Sequence, residues 1–422
     1  MVANSRNSMS EAFANDAVNN VVSAGGNMEA ALGNDVAATF NLGSGLSSWV
    51  SKINTGARNH VVVMGDSNVV SVSAEQYRWP VQLKTDLLSF TGRPDGGPGF
   101  RHLGLTNPGE WTYPAVVTVN PGQLNFETLG ITPGFFPTES QFTGGSSDLG
   151  PQGYAYVLVQ QNNIFTWTLA SAPAGFTHDR FELYGIDDDF LGQQSEYSID
   201  GGAFVSTAYS FAGTTGPKLV KQAVVTPITT TLRYRGSATG FPAYLVGAAF
   251  YQGSGAAGPL VVHNLGMGGN KVDQMVGRGS SNRLALIDDL QPILTVVWTG
   301  TNEFSNIPPG LNQMSLSTFD TKYRAIVTKA RQYGDVLMVY PHATNVPNVF
   351  SLAPIPRQQA DFERVARKIA YDLDAGYMSI HQLWGTWARA NTRAFMADNH
   401  HINQAGHNAV SKVLTRAIRR VS

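Results

Sequence analysis

The sequence predicts an α/β protein in which an all-β segment interrupts a parallel sheet. Three observations predict this class. A continuous apolar run at residues 60–64 is typical of a buried strand. Strand-like and helix-like segments alternate after residue 258, which favours a parallel sheet covered by helices. The residues between are rich in Gly, Pro, Thr and aromatics and show no helical periodicity.

The composition excludes several classes of protein. Of 422 residues, 42% are hydrophobic and only 14% are charged, which is enough apolar material for a core and too little charge for a coiled coil or a charge-rich disordered chain. The net charge of −1 argues against binding to nucleic acid or to an anionic membrane through general electrostatic attraction. The chain has no Cys, so disulfides, thiolate metal sites and a Cys nucleophile are excluded.

The N-terminal part contains the first strand–helix unit. Residues 1–45 are rich in Ala, Asn and Ser, and we expect an arm or attachment segment there. The apolar run at 60–64 predicts the first strand, and residues 74–90 have helical spacing with Pro80 suited to the first turn. We assign 46–92 to the α/β domain.

The central part, residues 93–257, predicts an inserted β-sandwich or jelly roll. Short β-like runs recur there, separated by turn signals such as Asp200-Gly201-Gly202. The expected strands are 154–158, 164–169, 180–184, 223–225, 229–234 and 243–250.

The C-terminal part, residues 258–422, returns to the α/β pattern and completes the first domain. We expect strands at 260–264, 292–298, 335–340 and 378–383, and helices at 281–290, 317–333, 356–373 and 404–421.

Four polar motifs lie at the ends of elements in the α/β part. They are Gly65-Asp-Ser-Asn68, Asn264-Leu-Gly-Met-Gly-Gly269, Gly300-Thr-Asn-Glu303 and Asp398-Asn-His-His401. The first three follow predicted strands, and the fourth precedes the last helix. Because open parallel sheets bind ligands at the carboxyl ends of their strands, we expect these motifs to converge.

Together the motifs contain every part needed for ester hydrolysis by a serine. Ser67 follows a strand and precedes a helix, so its hydroxyl can serve as nucleophile. His401 can take the proton, and Asp398 can orient His401 from the same loop. The backbone N–H groups of Ser67 and Gly269 and the side-chain amide of Asn302 can stabilise the oxyanion.

In these motifs the chain resembles the SGNH/GDSL hydrolase family, over residues 59–92 and 258–422. The resemblance implies a flavodoxin-like three-layer α/β/α fold, esterase activity without a cofactor, a Ser67–His401–Asp398 triad and oxyanion donors at Ser67, Gly269 and Asn302. Asn403 and Gly406 fit the usual tail of the last motif. The chain has Glu303 where the family more often has Asp, and we expect little consequence.

Other residues suggest alternative sites. The histidines His400, His407 and His263 could form a metal site, but we favour none because the Asp-x-x-His spacing suits a triad. The carboxylates at 187–189 could bind calcium, although a solvated turn is the preferred interpretation. Some aromatics of the insertion fit either a core or a sugar-stacking surface: Trp111, Tyr113, Phe135, Phe136, Phe165 and Trp167.

The preferred function is an O-acetylesterase that removes acetyl groups from a cell-surface polysaccharide. The alternatives are a lipid or thioester hydrolase of the same fold, and a glycan-binding structural protein. The Ala/Asn-rich arm, low charge and lack of Cys resemble bacteriophage tail-fibre or tailspike proteins, which implies a homotrimer in that case. The sequence shows no run of about 20 apolar residues and no apolar signal-peptide core, so we expect an extracellular or virion-associated protein without a membrane span.

Overall fold

The structure is a computed structural model, and it describes the chain in separate stretches. They are residues 38–53, 56–70, 78–102, 116–119, 157–159, 164–168, 179–187, 195–208, 218–236, 243–253, 257–266, 270–276, 283–304, 314–345 and 359–419. Residues 1–37 of the expected arm lie outside them, as do Trp111, Tyr113, Phe135 and Phe136.

The described strands alternate with helices in both parts assigned to the α/β domain. The strands are β1 (Thr39–Phe40), β2 (Asn59–Gly65), β3 (Gly99–His102), β4 (Val116–Val119), β5 (Val157–Val159), β6 (Ile164–Thr168), β7 (Arg180–Asp187), β8 (Ser195–Ile199), β9 (Val205–Ser206), β10 (Lys218–Val224), β11 (Thr231–Gly236), β12 (Ala243–Tyr251), β13 (Leu260–Gly266), β14 (Leu294–Trp298), β15 (Asp335–Tyr340) and β16 (Gly376–Ser379). The helices are α1 (Leu42–Gly45), α2 (Ser67–Val70), α3 (Trp79–Thr91), α4 (Val272–Val276), α5 (Arg283–Leu290), α6 (Thr301–Phe304), α7 (Leu316–Arg331), α8 (Gln359–Asp372), α9 (Ile380–Trp384), α10 (Trp387–Thr392) and α11 (Gln404–Arg419).

The chain divides into two compact units. The terminal unit comprises Met1–Lys52 and Leu294–Ser422, and the central unit comprises Ile53–Ile293.

The terminal unit has a sheet with strand order β1-β16-β15-β14. β14, β15 and β16 run parallel, and β1 pairs antiparallel with β16. All residues of β14, β15 and β16 are buried, as expected for parallel strands covered by helices. Helices α7 and α8 meet through the rings of Phe319 and Phe362, whose centroids are 5.2 Å apart. The α/β class predicted from the alternation is confirmed.

The central unit combines a parallel strand pair with two antiparallel sheets. β2 and β13 run parallel in a register that sets Gly65 opposite Gly266, so both strands end at the same level. One antiparallel sheet has the order β10-β7-β12-β3 with β5 also on β12, and the other has the order β4-β6-β11-β8-β9. The Phe181 and Tyr197 rings, one from each sheet, lie 5.8 Å apart at an angle of 73°.

The predicted β character of residues 93–257 is confirmed, because the described elements there are all strands. The jelly-roll order of those strands stays a prediction. Phe165 and Trp167 are two residues apart in β6, and Asp187 ends β7.

The strand expected at 378–383 is partly wrong. β16 ends at Ser379, and α9 begins at the next residue. The reason is a local cap: the Ser379 side-chain oxygen accepts a hydrogen bond from the Gln382 N–H at 3.0 Å, which satisfies a donor of the first helical turn.

Candidate active site

Ser67 lies in a tight turn that follows strand β2. The strand is buried through Met64, and Asp66 follows it with a side chain only 1% exposed. Asp66 Oδ1 accepts the Asn68 N–H at 2.8 Å, and its carbonyl accepts the Val69 N–H at 3.1 Å. These bonds fold the chain into α2 directly at Ser67, which remains partly exposed. Asp66 therefore shapes the turn through the backbone.

The end of β13 packs against that same turn. Asn264 donates from Nδ2 to the Val69 carbonyl at 3.2 Å and accepts the Gly266 N–H on Oδ1 at 2.9 Å. A Cβ at position 266 would approach Val69 Cγ1 to 2.5 Å, so only glycine fits beside α2. The glycine motif thus begins next to the turn that carries Ser67. Gly269 lies outside the described residues.

In the terminal unit, the end of β14 forms a buried turn around a carboxylate. Glu303 accepts the Thr299 hydroxyl on Oε1 at 2.7 Å and the Gly300 N–H on Oε2 at 3.0 Å. Gly300 has φ of +133°, and a Cβ there would overlap the Tyr340 ring. Asn302 follows within α6 and is 1% exposed.

The role of Glu303 is one that the sequence analysis missed. Its carboxylate closes the turn that holds Asn302, so position 303 contributes to the shape of the site. The sequence signal for this turn was the position of Glu303, four residues after Thr299 and three after Gly300.

Asp398 and His401 form a hydrogen-bonded pair on the loop before α11. The two side chains meet through Asp398 Oδ2 and His401 Nδ1 at 2.9 Å. Asp398 Oδ1 also accepts the backbone N–H groups of His400 and His401, each at 2.6 Å. Burial pushes the pKa of Asp398 upward, but the His401 side chain and the two backbone N–H groups outweigh it and leave the pKa below its ordinary value.

This geometry defines the chemistry that the pair can perform. An ionised Asp398 only accepts hydrogen bonds, so His401 donates from Nδ1 and keeps the lone pair on Nε2. The His401 side chain is 28% exposed, which leaves it accessible to a reactant. A histidine oriented in this way can act as a general base.

His400 links the same loop to Asn302. The His400 Nε2 atom lies 3.2 Å from Asn302 Oδ1, and the His400 side chain is buried. Burial lowers the pKa of His400 to about 3, so the ring is neutral. Three of the predicted site residues, Asn302, Asp398 and His401, are thereby joined through one loop.

The tail of the last motif is structural. Asn403 donates from Nδ2 to the carbonyls of Ala394 and Met396 at 2.8 and 3.1 Å, and its Oδ1 accepts the Gly406 N–H at 3.0 Å. A Cβ at Gly406 would overlap the Phe395 carbonyl oxygen. These contacts fix the chain between Asp398 and α11.

The other histidines occupy separate places. His407 is buried in the first turn of α11. His263 pairs with His60 in the central unit at 2.8 Å and accepts the Phe100 N–H on Nδ1. Among the described residues, no group of three or more His, Asp or Glu side chains is arranged to hold a metal ion.

A second carboxylate–histidine pair was not predicted. Glu363 Oε2 lies 2.7 Å from His381 Nδ1, and Glu363 Oε1 accepts the Ser379 hydroxyl at 2.5 Å. Ser379 is fully buried and its hydroxyl bonds the carboxylate, so this trio joins α8 to the start of α9 and does not present a nucleophile. The residues are 16 to 18 positions apart and form no sequence motif.

Comparison with solved structures identifies the fold. A peptidoglycan O-acetylesterase is similar to this chain with a TM-score of 0.61 and 16% identity, covering 91% of this chain and 98% of its own. This similarity shows a shared fold. An acetyl xylan esterase covers 37% of this chain and 80% of its own, with a TM-score of 0.29 and 19% identity. A mutant of an acetyl-xylooligosaccharide esterase from Geobacillus Stearmophilus covers 38% and 73%, with a TM-score of 0.29 and 18% identity.

Neither protein-family models nor curated proteins match the sequence. Within the stretches that the structure describes, no helix combines the length and apolarity needed to cross a bilayer.

Proposed function

We propose that the chain is a serine carboxylic-ester hydrolase of the SGNH/GDSL type that removes O-acetyl groups from a polysaccharide. The observation that carries the proposal is the Asp398–His401 pair, joined through His400 to the buried Asn302. The partly exposed Ser67, at the turn between β2 and α2, supports it, as does the fold shared with a solved peptidoglycan O-acetylesterase.

In the proposed mechanism, Ser67 Oγ attacks the ester carbonyl and His401 Nε2 accepts the hydroxyl proton. Asp398 holds the Nδ1–H tautomer and stabilises the imidazolium. The backbone N–H groups of Ser67 and Gly269 and the Nδ2 group of Asn302 donate to the oxyanion. His401 then protonates the leaving alcohol, and a water molecule activated by the same ring releases acetate from the acyl-enzyme.

The first experiment measures hydrolysis of p-nitrophenyl acetate and p-nitrophenyl octanoate by the wild type, Ser67→Ala and Ser51→Ala. Ser51 is an exposed serine whose hydroxyl bonds the Ser48 carbonyl, so Ser51→Ala is the matched control. We expect acetyl turnover that Ser67→Ala abolishes and Ser51→Ala retains. A preference for octanoate would move the assignment to a lipid hydrolase, and full activity in Ser67→Ala would refute the serine mechanism.

The substrate is then tested on polymers. Acetate release from O-acetylated peptidoglycan and from acetylated xylan distinguishes two polysaccharide classes that the proposal allows. Asn302→Ala should lower turnover on the preferred substrate by about 100- to 1000-fold, the usual cost of one oxyanion donor. Near-normal turnover in that variant would remove Asn302 from the proposed oxyanion site.

A further inference from the structure

His400 is fixed on three sides. Its backbone N–H donates to Asp398 Oδ1 at 2.6 Å, and its carbonyl accepts the Nε2–H of His342 at 2.9 Å. The side chain, only 6% exposed, reaches Asn302 Oδ1 at 3.2 Å. The ring therefore has little freedom to move relative to Asn302 or to the Asp398–His401 loop.

The contact with Asn302 has a definite polarity. An amide oxygen can only accept a hydrogen bond, so His400 must donate from Nε2. The His400 Nδ1 atom is buried without a partner among the described residues, as expected for the unprotonated nitrogen of a neutral ring. The ring thus remains a donor and does not bring a positive charge into the site.

The hydrogen bond from His400 to Asn302 Oδ1 fixes the orientation of the Asn302 side-chain amide. The two ends of an asparagine side chain have nearly the same shape but opposite hydrogen-bonding character. With Oδ1 held by His400, the Nδ2 group points away from that ring as a donor. A flipped amide would present an oxygen in its place, and an oxygen facing a developing oxyanion would repel it.

We infer that His400 is a positioning residue that locks the Asn302 amide with its N–H donors directed at the oxyanion. This inference rests on the proposed esterase function and deepens it. His400 acts through Asn302 and does not itself touch the substrate. His400 thereby connects the loop that carries the proposed base, His401, to the proposed oxyanion donor, Asn302.

The test compares His400→Phe, which removes the donor, with His400→Gln, which retains a side-chain N–H. On p-nitrophenyl acetate we expect His400→Phe to lower kcat by about 10- to 100-fold with KM nearly unchanged, since one oriented hydrogen bond is lost. We expect His400→Gln to recover most of the rate. His381→Gln, which alters a histidine of the separate Glu363 group, should leave kcat unchanged and serves as control.

A double-mutant cycle separates positioning from general damage. In the Asn302→Ala background, His400→Phe should cost less than about twofold, because its target is gone. Equal losses in both backgrounds, or no loss in either, would overturn the inference. Circular dichroism of each variant checks that it folds.

A spectroscopic readout keeps the inference testable apart from activity. Selective ¹⁵N-asparagine labelling, with Asn302→Ala to assign the signal, reports the Asn302 side-chain NH₂ resonance. His400→Phe should shift that resonance, and His400→Gln should leave it close to the wild-type position. An unshifted resonance in His400→Phe would refute the contact itself. If Ser67→Ala keeps wild-type activity, the proposed function fails, and this NMR result still decides the His400 contact.

Discussion

His342 should make the stability of the protein depend on pH, because it is a titratable ring that is fully buried in the terminal unit. It follows β15, and its ring lies 6.2 Å from that of Trp298 and 6.0 Å from that of Trp384. Its Nε2 donates to the His400 carbonyl, while its Nδ1 is buried without a partner among the described residues. Burial lowers the pKa of His342 to about 4; the bond to His400 opposes this fall and nearby His401 adds to it.

The magnitude follows from proton linkage. An unfolded histidine has a pKa of about 6.5, so between pH 6.5 and 4 the unfolded chain binds a proton that the folded chain excludes. The folded state is therefore fully favoured above pH 6.5 and loses stability as the pH falls. With a folded pKa of about 4, His342 alone removes about 2 kcal/mol of unfolding free energy by pH 5 and about 3 kcal/mol by pH 4.

The assay is urea denaturation followed by tryptophan fluorescence from pH 8 to pH 4.5, for the wild type, His342→Gln and His342→Phe. His342→Gln keeps a side-chain N–H, and His342→Phe keeps an aromatic ring between the tryptophans. Neither replacement titrates, so each variant should lose about 2 kcal/mol less than the wild type between pH 8 and pH 5. Other titrating groups are common to all three proteins and cancel in the difference. Parallel pH dependences would refute the claim that His342 is held neutral by burial.

Three further predictions concern the site and its supports. Asp398→Asn should lower turnover by about 10³- to 10⁴-fold while far-ultraviolet circular dichroism stays unchanged. The control is Asp361→Asn, which changes a partly exposed carboxylate that pairs with Arg364 on α8. Similar rates in the two variants would contradict the triad. Gly406→Ala should lower the unfolding free energy measured by urea denaturation by about 1–3 kcal/mol, because the new methyl group overlaps a backbone oxygen. The control Gly43→Ala adds a methyl group with nothing within 4 Å, so it should be neutral or stabilise the fold by up to about 1 kcal/mol. Asp335→Ala should lower the unfolding free energy, measured in the same way, by about 2–4 kcal/mol, because the buried carboxylate accepts two backbone N–H groups at 2.8 Å. A loss below about 0.5 kcal/mol would show that water takes the place of the carboxylate as the acceptor for these N–H groups.

The features of the candidate site that can be derived from the sequence are local. Asp398 and His401 are three residues apart on one loop, so their pairing needs only a turn. The Ser67 turn likewise follows from a strand that ends in Gly-Asp-Ser, where Asp66 bonds the next backbone N–H groups. Short-range geometry of this kind is encoded by residue type and spacing.

The parts that the sequence did not predict depend on distant neighbours. His400 meets Asn302 across 98 residues, whereas the sequence suggested it only as a possible metal ligand. Glu363 meets His381 only because α8 packs beside the start of α9. Residues 39–45 fall within the arm expected from composition, yet Thr39–Phe40 pair with β16, and each partner is more than 330 residues away.

The sequence by itself determined the α/β class, the buried strands and the order of the four motifs, because apolar runs and turn residues act over a few positions. It also determined that Asp398 and His401 can pair. Only the tertiary structure decided the protonation of His400, the orientation of the Asn302 amide and the role of Glu303. The physical reason is that burial keeps the His400 ring neutral, while its hydrogen-bond partner fixes which nitrogen carries the proton. Both conditions arise only when distant segments pack together.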